Sequence, residues 1–176
     1  MKDITSTKVV LITGAPGSGK TTVSEAVARR FTHGAHVPVD FFRKMIKGGY
    51  ASPHHWNDEV ARQYRVARIN AAQTAMNLAE AGFVPVIDDI VAPGWVEEWT
   101  SAMPRMDCVF VLLRPPMGVA LARNRERSIW TVDEAILRHL YEMFEQDYTS
   151  GWLTIDSSSC SPEEAADQIR RTTCEE

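Results

Sequence analysis

The residues with the clearest chemistry are Gly14-Ala15-Pro16-Gly17-Ser18-Gly19-Lys20-Thr21, which satisfy the pattern G-x-x-x-x-G-K-[ST] at every fixed position. Glycines let the chain turn sharply enough for successive backbone N–H groups to converge on one anion. A helix following directly would add its unpaired N–H groups and positive dipole end. Lys20 has the reach for the outer phosphates of a nucleotide, and the Thr21 hydroxyl suits a hard cation such as Mg²⁺. The segment from Gly14 through Thr22 therefore predicts a cradle for ATP with its Mg²⁺.

The flanking sequence has the order such a cradle requires. Val9–Thr13 is a short run rich in β-branched residues and reads as a buried strand, while Thr21–Phe31 carries apolar residues at helical spacing. Further strands are predicted at Ala35–Val39, Phe83–Ile87, Cys108–Leu113 and Trp152–Ile155, although Pro85 argues against the second of these. Helices are predicted at Phe41–Lys47, at Asn57–Ala81 with Asn57 as cap and Gly82 as stop, at Trp95–Ser101 and at Met117–Arg125. Thr131 with Glu134 reads as a capping box opening a helix to about Tyr148. Ser161-Pro162-Glu163-Glu164 opens the last helix in the same way. Strands alternating with helices predict an α/β fold, a five-stranded parallel sheet between two helical layers (the three-layer P-loop nucleoside triphosphate hydrolase fold), in one domain over residues 1–176.

Such sheets bind ligands at the carboxyl ends of their strands, and polar residues follow each predicted strand. Asp40 follows the second and could accept a proton from an acceptor hydroxyl, or cap the helix after it. Asp88 and Asp89 follow the third. Asp88 is the expected Mg²⁺-side ligand with Thr21, and Asp89 is expected to contact the acceptor. Arg123, Arg125 and Arg127 suggest a lid over about residues 123–131, with Arg123 on the nucleotide and Arg127 on the transferring phosphate. Arg114 and Arg138 are weaker candidates. Residues 40–65 are the expected acceptor-binding segment, where Phe41, Phe42, Tyr50, Trp56 and Tyr64 suit an apolar or ring-bearing molecule. Arg43 would bind an anionic group there or lie on the surface. His33, His36, His54 and His55 read as loop and surface residues, and Trp95 with Trp99 as a packing pair.

Composition narrows the classes. A net charge of −4 gives no basic footprint, so no nucleic-acid partner is expected. No apolar run approaches membrane-spanning length and Met1–Ser6 lacks a secretory apolar stretch, so a cytoplasmic monomer or homodimer is expected. Cys108, Cys160 and Cys174 fit neither a disulfide framework nor a zinc pattern and read as free thiols.

In order along the chain, Gly14–Thr21, Val39-Asp40 with its aromatic follow-on, Val86-Ile87-Asp88-Asp89, Arg114, Arg123–Arg127 and Thr154-Ile155-Asp156-Ser157 resemble the small phosphate-loop kinases, most closely the chloramphenicol-phosphotransferase-like group. The resemblance implies a nucleoside-monophosphate-kinase-like fold, use of ATP and Mg²⁺, and Asp40 as general base for a hydroxyl acceptor. Ala15-Pro16-Gly17-Ser18 looks like the loop of nucleotide, gluconate and shikimate kinases. Three readings stand: a small-molecule kinase, a nucleoside or nucleoside monophosphate kinase, and a nucleotide-binding ATPase or switch. Against the second, Asp88–Gly94 lacks an Asp-Gly-x-Pro-Arg-like segment; no Asn-Lys-x-Asp guanine reader is present either.

Overall fold

A computed structural model describes residues 7–127, 131–145 and 149–174. The chain runs β1 (Thr7–Thr13), α1 (Lys20–Ala28), β2 (Gly34–Pro38), α2 (Val39–Lys44), α3 (Asp58–Glu80), β3 (Val84–Asp88), α4 (Val96–Ala102), β4 (Met106–Leu113), α5 (Met117–Arg125), α6 (Glu134–Met143), β5 (Leu153–Ile155) and α7 (Pro162–Cys174). A single 3₁₀ turn, Pro93–Trp95, leads into α4. The sheet has five strands in the order β2-β3-β1-β4-β5, every pairing parallel.

Alternation along the strands divides the core. Val10 and Ile12 of β1, with Val86 and Val111, face α1 and α7 through Val23, Val27, Ala166 and Ile169. Val9, Leu11 and Ile87 face α3 and α4 through Ala67, Ala71, Ala75 and Trp99. The alanines recur every fourth residue on α3, so that helix lies close on the sheet. Asn57 caps it by accepting from the Val60 N–H at 3.0 Å, and Gly82 leaves it at φ 87°.

Register gathers the strand ends. Ile12 pairs with Asp88, and Asp88 pairs with Pro38. The loop after β1, the residues after β2 and the end of β3 therefore meet on one rim.

Several boundaries differ from the sequence reading. Pro85 lies in an interior strand without breaking it. The Val84 N–H donates to His33 O on the β2 side, so the nitrogen of Pro85 points toward β1, where pairing begins only at Val86. The second strand stops at Pro38 and α2 starts at Val39 without a side-chain cap, so Asp40 lies within the first turn instead of capping it. Thr131 does not cap α6: Asp133 does, accepting from the N–H groups of Ala135 at 2.9 Å and Ile136 at 3.4 Å. Glu134 instead pairs with Arg125 and Arg138. The helix ends at Met143; Tyr148 lies outside the described residues. The capping box of α7 forms as expected, with Ser161 N–H on Glu164 and Glu164 N–H on the Ser161 hydroxyl. No described helix is long and apolar enough to cross a membrane.

Candidate active site

Gly14, Gly17 and Gly19 take φ values of 152°, 84° and 84°. At Gly17 space also matters, because a Cβ there would lie 2.2 Å from the Ala120 carbonyl of α5. The loop is tied down from the β5 edge of the sheet as well. The Ser157 hydroxyl, beyond β5, donates to Ser18 O at 2.7 Å, and Arg123 Nη2 donates to Ser157 O at 3.0 Å. Arg123 thus lies on α5 beneath the loop, braced on Ser157. Ser18 is buried and its hydroxyl has no partner among the described residues.

Lys20 opens α1 and is half-buried. Burial draws its pKa below the usual lysine value, opposed by the charges of Asp88 and Asp40. Thr21 and Thr22 follow, both exposed. Asp88 is buried at the end of β3. Burial alone would raise its carboxyl, but His36 and the Thr21 hydroxyl beside it, together with the Lys20 charge, hold it below the usual carboxylate range. His36 Nε2 lies 3.4 Å from Asp88 Oδ1. Asp40 is exposed and borders the same cleft as Lys20, Thr21 and Asp88.

That cleft has a volume of about 560 Å³. Opposite the phosphate loop, its wall is aromatic. Trp56, Tyr64 and Trp95 have ring centroids 5.7, 6.0 and 6.4 Å apart and planes within 25° of one another. Arg68 lies 3.5 Å from the Trp95 centroid, donates to Asp89 Oδ2 at 3.1 Å and to Glu98 at 2.9 Å. Trp99 Nε1 donates to the same Asp89 oxygen at 3.2 Å. Burial lifts Asp89 to about 6 despite the Arg68 charge. Asp89 borders the cleft, but that oxygen serves the wall. Arg43 is buried, not on the surface: its guanidinium lies 4.2 Å from the Tyr64 centroid and 4.7 Å from that of Tyr50, and it donates to Ala51 O. Gln63 fixes the same loop, donating to Gly49 O at 2.7 Å and accepting from Ala51 N–H at 3.0 Å.

Arg127 borders the cleft on its α6 side and is exposed. The middle of the expected lid, residues 128–130, lies outside the described residues. Arg125, Arg114 and Arg138 point to Glu134, Glu145 and Glu134 at 2.7, 2.8 and 2.7 Å, exposed pairs of small energetic weight. Among the described residues no three His, Cys, Asp or Glu side chains group as a metal site. A P-loop Mg²⁺ asks for less, since it keeps waters and phosphate oxygens and takes one or two protein ligands. Thr21 beside an ionised Asp88 supplies that set.

His36, read from the sequence as a loop and surface residue, lies in β2 with its side chain largely buried against Asp88, and sequence reasoning passed over Arg68, Gln63 and the lining role of Trp95. Arg68 and Gln63 left a signal: both are polar residues on the apolar face of α3, Arg68 four before Ala72 and Gln63 four before Ala67.

A family described as the AAA domain matches residues 10–150. The chain belongs to the AAA domain family. No curated protein matches the sequence. Among solved structures, this AAA domain is similar to a tunicamycin resistance protein of Deinococcus radiodurans, at TM-score 0.71 and 15% identity, with 96% of each chain covered. A sugar kinase of a Janibacter species aligns at TM-score 0.70 and 19% identity, over 94% of this chain and 93% of the other. A shikimate kinase of Acinetobacter baumannii, solved with shikimate, aligns at TM-score 0.66 and 21% identity, over 96% and 93%. The AAA domain therefore has the fold of the small P-loop kinases.

Proposed function

We propose that the chain is an ATP-dependent phosphotransferase of the chloramphenicol-phosphotransferase-like kind, moving the γ-phosphate of Mg-ATP to a hydroxyl of a small molecule. One observation carries this reading: a single cleft joins the phosphate loop, through Lys20 and Thr21, to an exposed carboxylate at Asp40 and to an aromatic wall. A nucleotide switch has no use for that second half. The kinases among the structures of like fold support the same class.

Phosphoryl transfer asks mainly for positioning and charge stabilisation. Loop amides and Lys20 hold the phosphate tail. Thr21 and Asp88 would hold Mg²⁺, which when bound neutralises charge on the β- and γ-phosphate oxygens. Asp40 orients the acceptor hydroxyl and takes its proton as the new O–P bond forms and the bond to the β-phosphate oxygen breaks, releasing ADP. Arg127, on the open side, offers positive charge to the transferring group.

The test is ADP release from Mg-ATP with a panel of sugars, sugar acids, nucleosides, nucleoside monophosphates and aromatic alcohols. Acceptor-dependent release supports the proposal. Release only with a nucleoside monophosphate makes the chain a nucleotide kinase, and release at a rate independent of every acceptor makes it an ATPase.

A further inference from the structure

His36 lies one step below the rim on β2. Its register partner is Val86, and Pro38 above it pairs with Asp88, so its imidazole and the Asp88 carboxylate are diagonal neighbours on adjacent strands. Its side chain is 15% exposed and borders the cleft together with Thr21 and Asp88. His36 Nε2 lies 3.4 Å from Asp88 Oδ1. That nitrogen is buried and has no hydrogen-bond partner among the described residues. A histidine placed only to orient the carboxylate would donate to it at about 2.7–3.2 Å, and a buried polar atom left unpaired is costly. Two ligand atoms each about 2.1 Å from one cation, at angles of about 90° to about 109°, stand about 3.0–3.4 Å apart. His36 Nε2 and Asp88 Oδ1 are therefore spaced as two neighbouring ligands and not as a donor with its acceptor.

Resting on the reading of this cleft as a metal–nucleotide site, we infer that His36 Nε2 is a third protein ligand beside Thr21 and Asp88, and that the site takes a divalent first-row transition ion of the Mn²⁺ and Co²⁺ class with the nucleotide. Imidazole nitrogen suits such ions, whereas Mg²⁺ takes oxygen and keeps its waters. Ligation uses the neutral ring, with Nε2 free of its proton. The three donors come from β2, α1 and β3, which the parallel register and the phosphate loop bring to one end of the sheet. Thr21 and Asp88 offer oxygen to either kind of cation. Any preference beyond that belongs to His36.

The probe is Co²⁺ with ADP, compared with Mg²⁺ with ADP, on the wild-type chain, His36→Gln and His36→Ala. Glutamine keeps an amide N–H that can orient Asp88 but supplies no imidazole nitrogen. Expected are proton NMR resonances of one imidazole, displaced outside the ordinary range by bound Co²⁺ and absent from both variants. Expected too is a loss of at least about tenfold in Co-ADP affinity in each variant, with Mg-ADP affinity held within about twofold. A wild-type Co-ADP complex without displaced imidazole resonances overturns the inference. So do resonances that survive in His36→Gln, which belong to another histidine. A glutamine variant that binds Co-ADP as tightly as the wild type overturns it as well, leaving His36 to orient Asp88 only. Circular dichroism checks folding, and direct assignment of the displaced resonances in the wild type decides the matter should both variants unfold. The two levels fail separately. Acceptor-dependent ADP release without imidazole-ligated Co²⁺ removes the histidine ligand and leaves the kinase. Imidazole-ligated Co²⁺ with no acceptor-dependent ADP release from Mg-ATP or Co-ATP removes the kinase and leaves the metal site.

Discussion

Replacing Gly17 and Gly19 one at a time by alanine separates two demands on the phosphate loop. Both residues have φ 84°, and an alanine at such an angle is strained by about 1–2 kcal/mol. Around Gly19 nothing lies within 4 Å of an added Cβ, so strain is the whole effect and Gly19→Ala should lose about 1–2 kcal/mol. Around Gly17 the Cβ would meet Ala120 O at 2.2 Å and Ala120 C at 2.9 Å. Those are backbone atoms of a helix and cannot rotate away, so the loop or α5 must move. Overpacking of that kind adds about 1–3 kcal/mol, bringing Gly17→Ala to about 2–5 kcal/mol. For a chain of this size, one kcal/mol moves Tm by about 2–4 °C. The expected losses are about 2–8 °C for Gly19→Ala and about 4–20 °C for Gly17→Ala. Urea and thermal unfolding followed by circular dichroism, without nucleotide, would measure both. Indistinguishable midpoints for the two variants would refute the close contact between loop and α5.

Other perturbations address the chemistry and the charges. Asp40→Asn should retain ATP binding and lose about 10²–10⁴ in turnover, whereas Lys20→Ala should damage both; nucleotide titration beside the ADP assay reads the two, and normal turnover in Asp40→Asn removes the proposed base. Burial pushes the Cys108 thiol up to about 11 from 9.0, so at pH 8 it should alkylate far more slowly in the folded chain than in the chain unfolded in urea. Because that folded value is raised, the neutral thiol's contribution is complete below about pH 9 and fades toward about pH 11; peptide mapping after iodoacetamide checks the reactivity, and unfolding of Cys108→Ala across that window checks the linkage. Arg30 Nε donates to Asp167 Oδ1 at 2.6 Å and holds that carboxyl below its usual 3.8. A depressed value stabilises above pH 3.8 and is lost as pH falls through the folded value, so Asp167→Asn should trail the wild type near neutrality, with the gap closing in acid; a gap that widens in acid sinks the assignment.

The parts of this molecule set by local rules could be read from its sequence. The glycines of the loop, the Asn57 cap and the Ser161–Glu164 box each depend on residues within a few positions of one another, and each formed as expected. The parallel sheet was legible because its strands are short apolar runs bounded by turns. What failed was competition between neighbouring options. Thr131 and Asp133 both offer a capping oxygen to one helix start, and the stronger cap at Asp133 took it while Glu134 went to two arginines. The wall of the cleft was only partly within reach: Trp56 and Tyr64 fall in the segment expected to bind the acceptor, but their meeting with Trp95, which reads in the sequence as a packing partner of Trp99, was not. Trp56, Tyr64 and Trp95 come from a loop, from α3 and from the turn after β3, and no spacing rule joins them. Arg68 and Asp89 are 21 positions apart and meet only because α3 packs beside β3.

Asp88 and Asp89 show how the fold divides two kinds of work between neighbours. Successive residues at a strand end face opposite ways. Asp88 turns to Thr21, His36 and Lys20, while Asp89 turns to Arg68 and Trp99. The first carboxylate is held ionised by donors around it, as a ligand for a cation must be. Burial favours protonation of the second, and its hydrogen bonds are spent on the residues that orient Trp95. Phosphate handling is thus written into strand ends that the register of β1, β2 and β3 locks together. The aromatic wall of the cleft is written into α3 and the segments on either side of it. A sequence can therefore change the second set without disturbing the first, which is why the loop and the sheet identify the fold whereas the wall formed by Trp56, Tyr64 and Trp95 can vary independently of them.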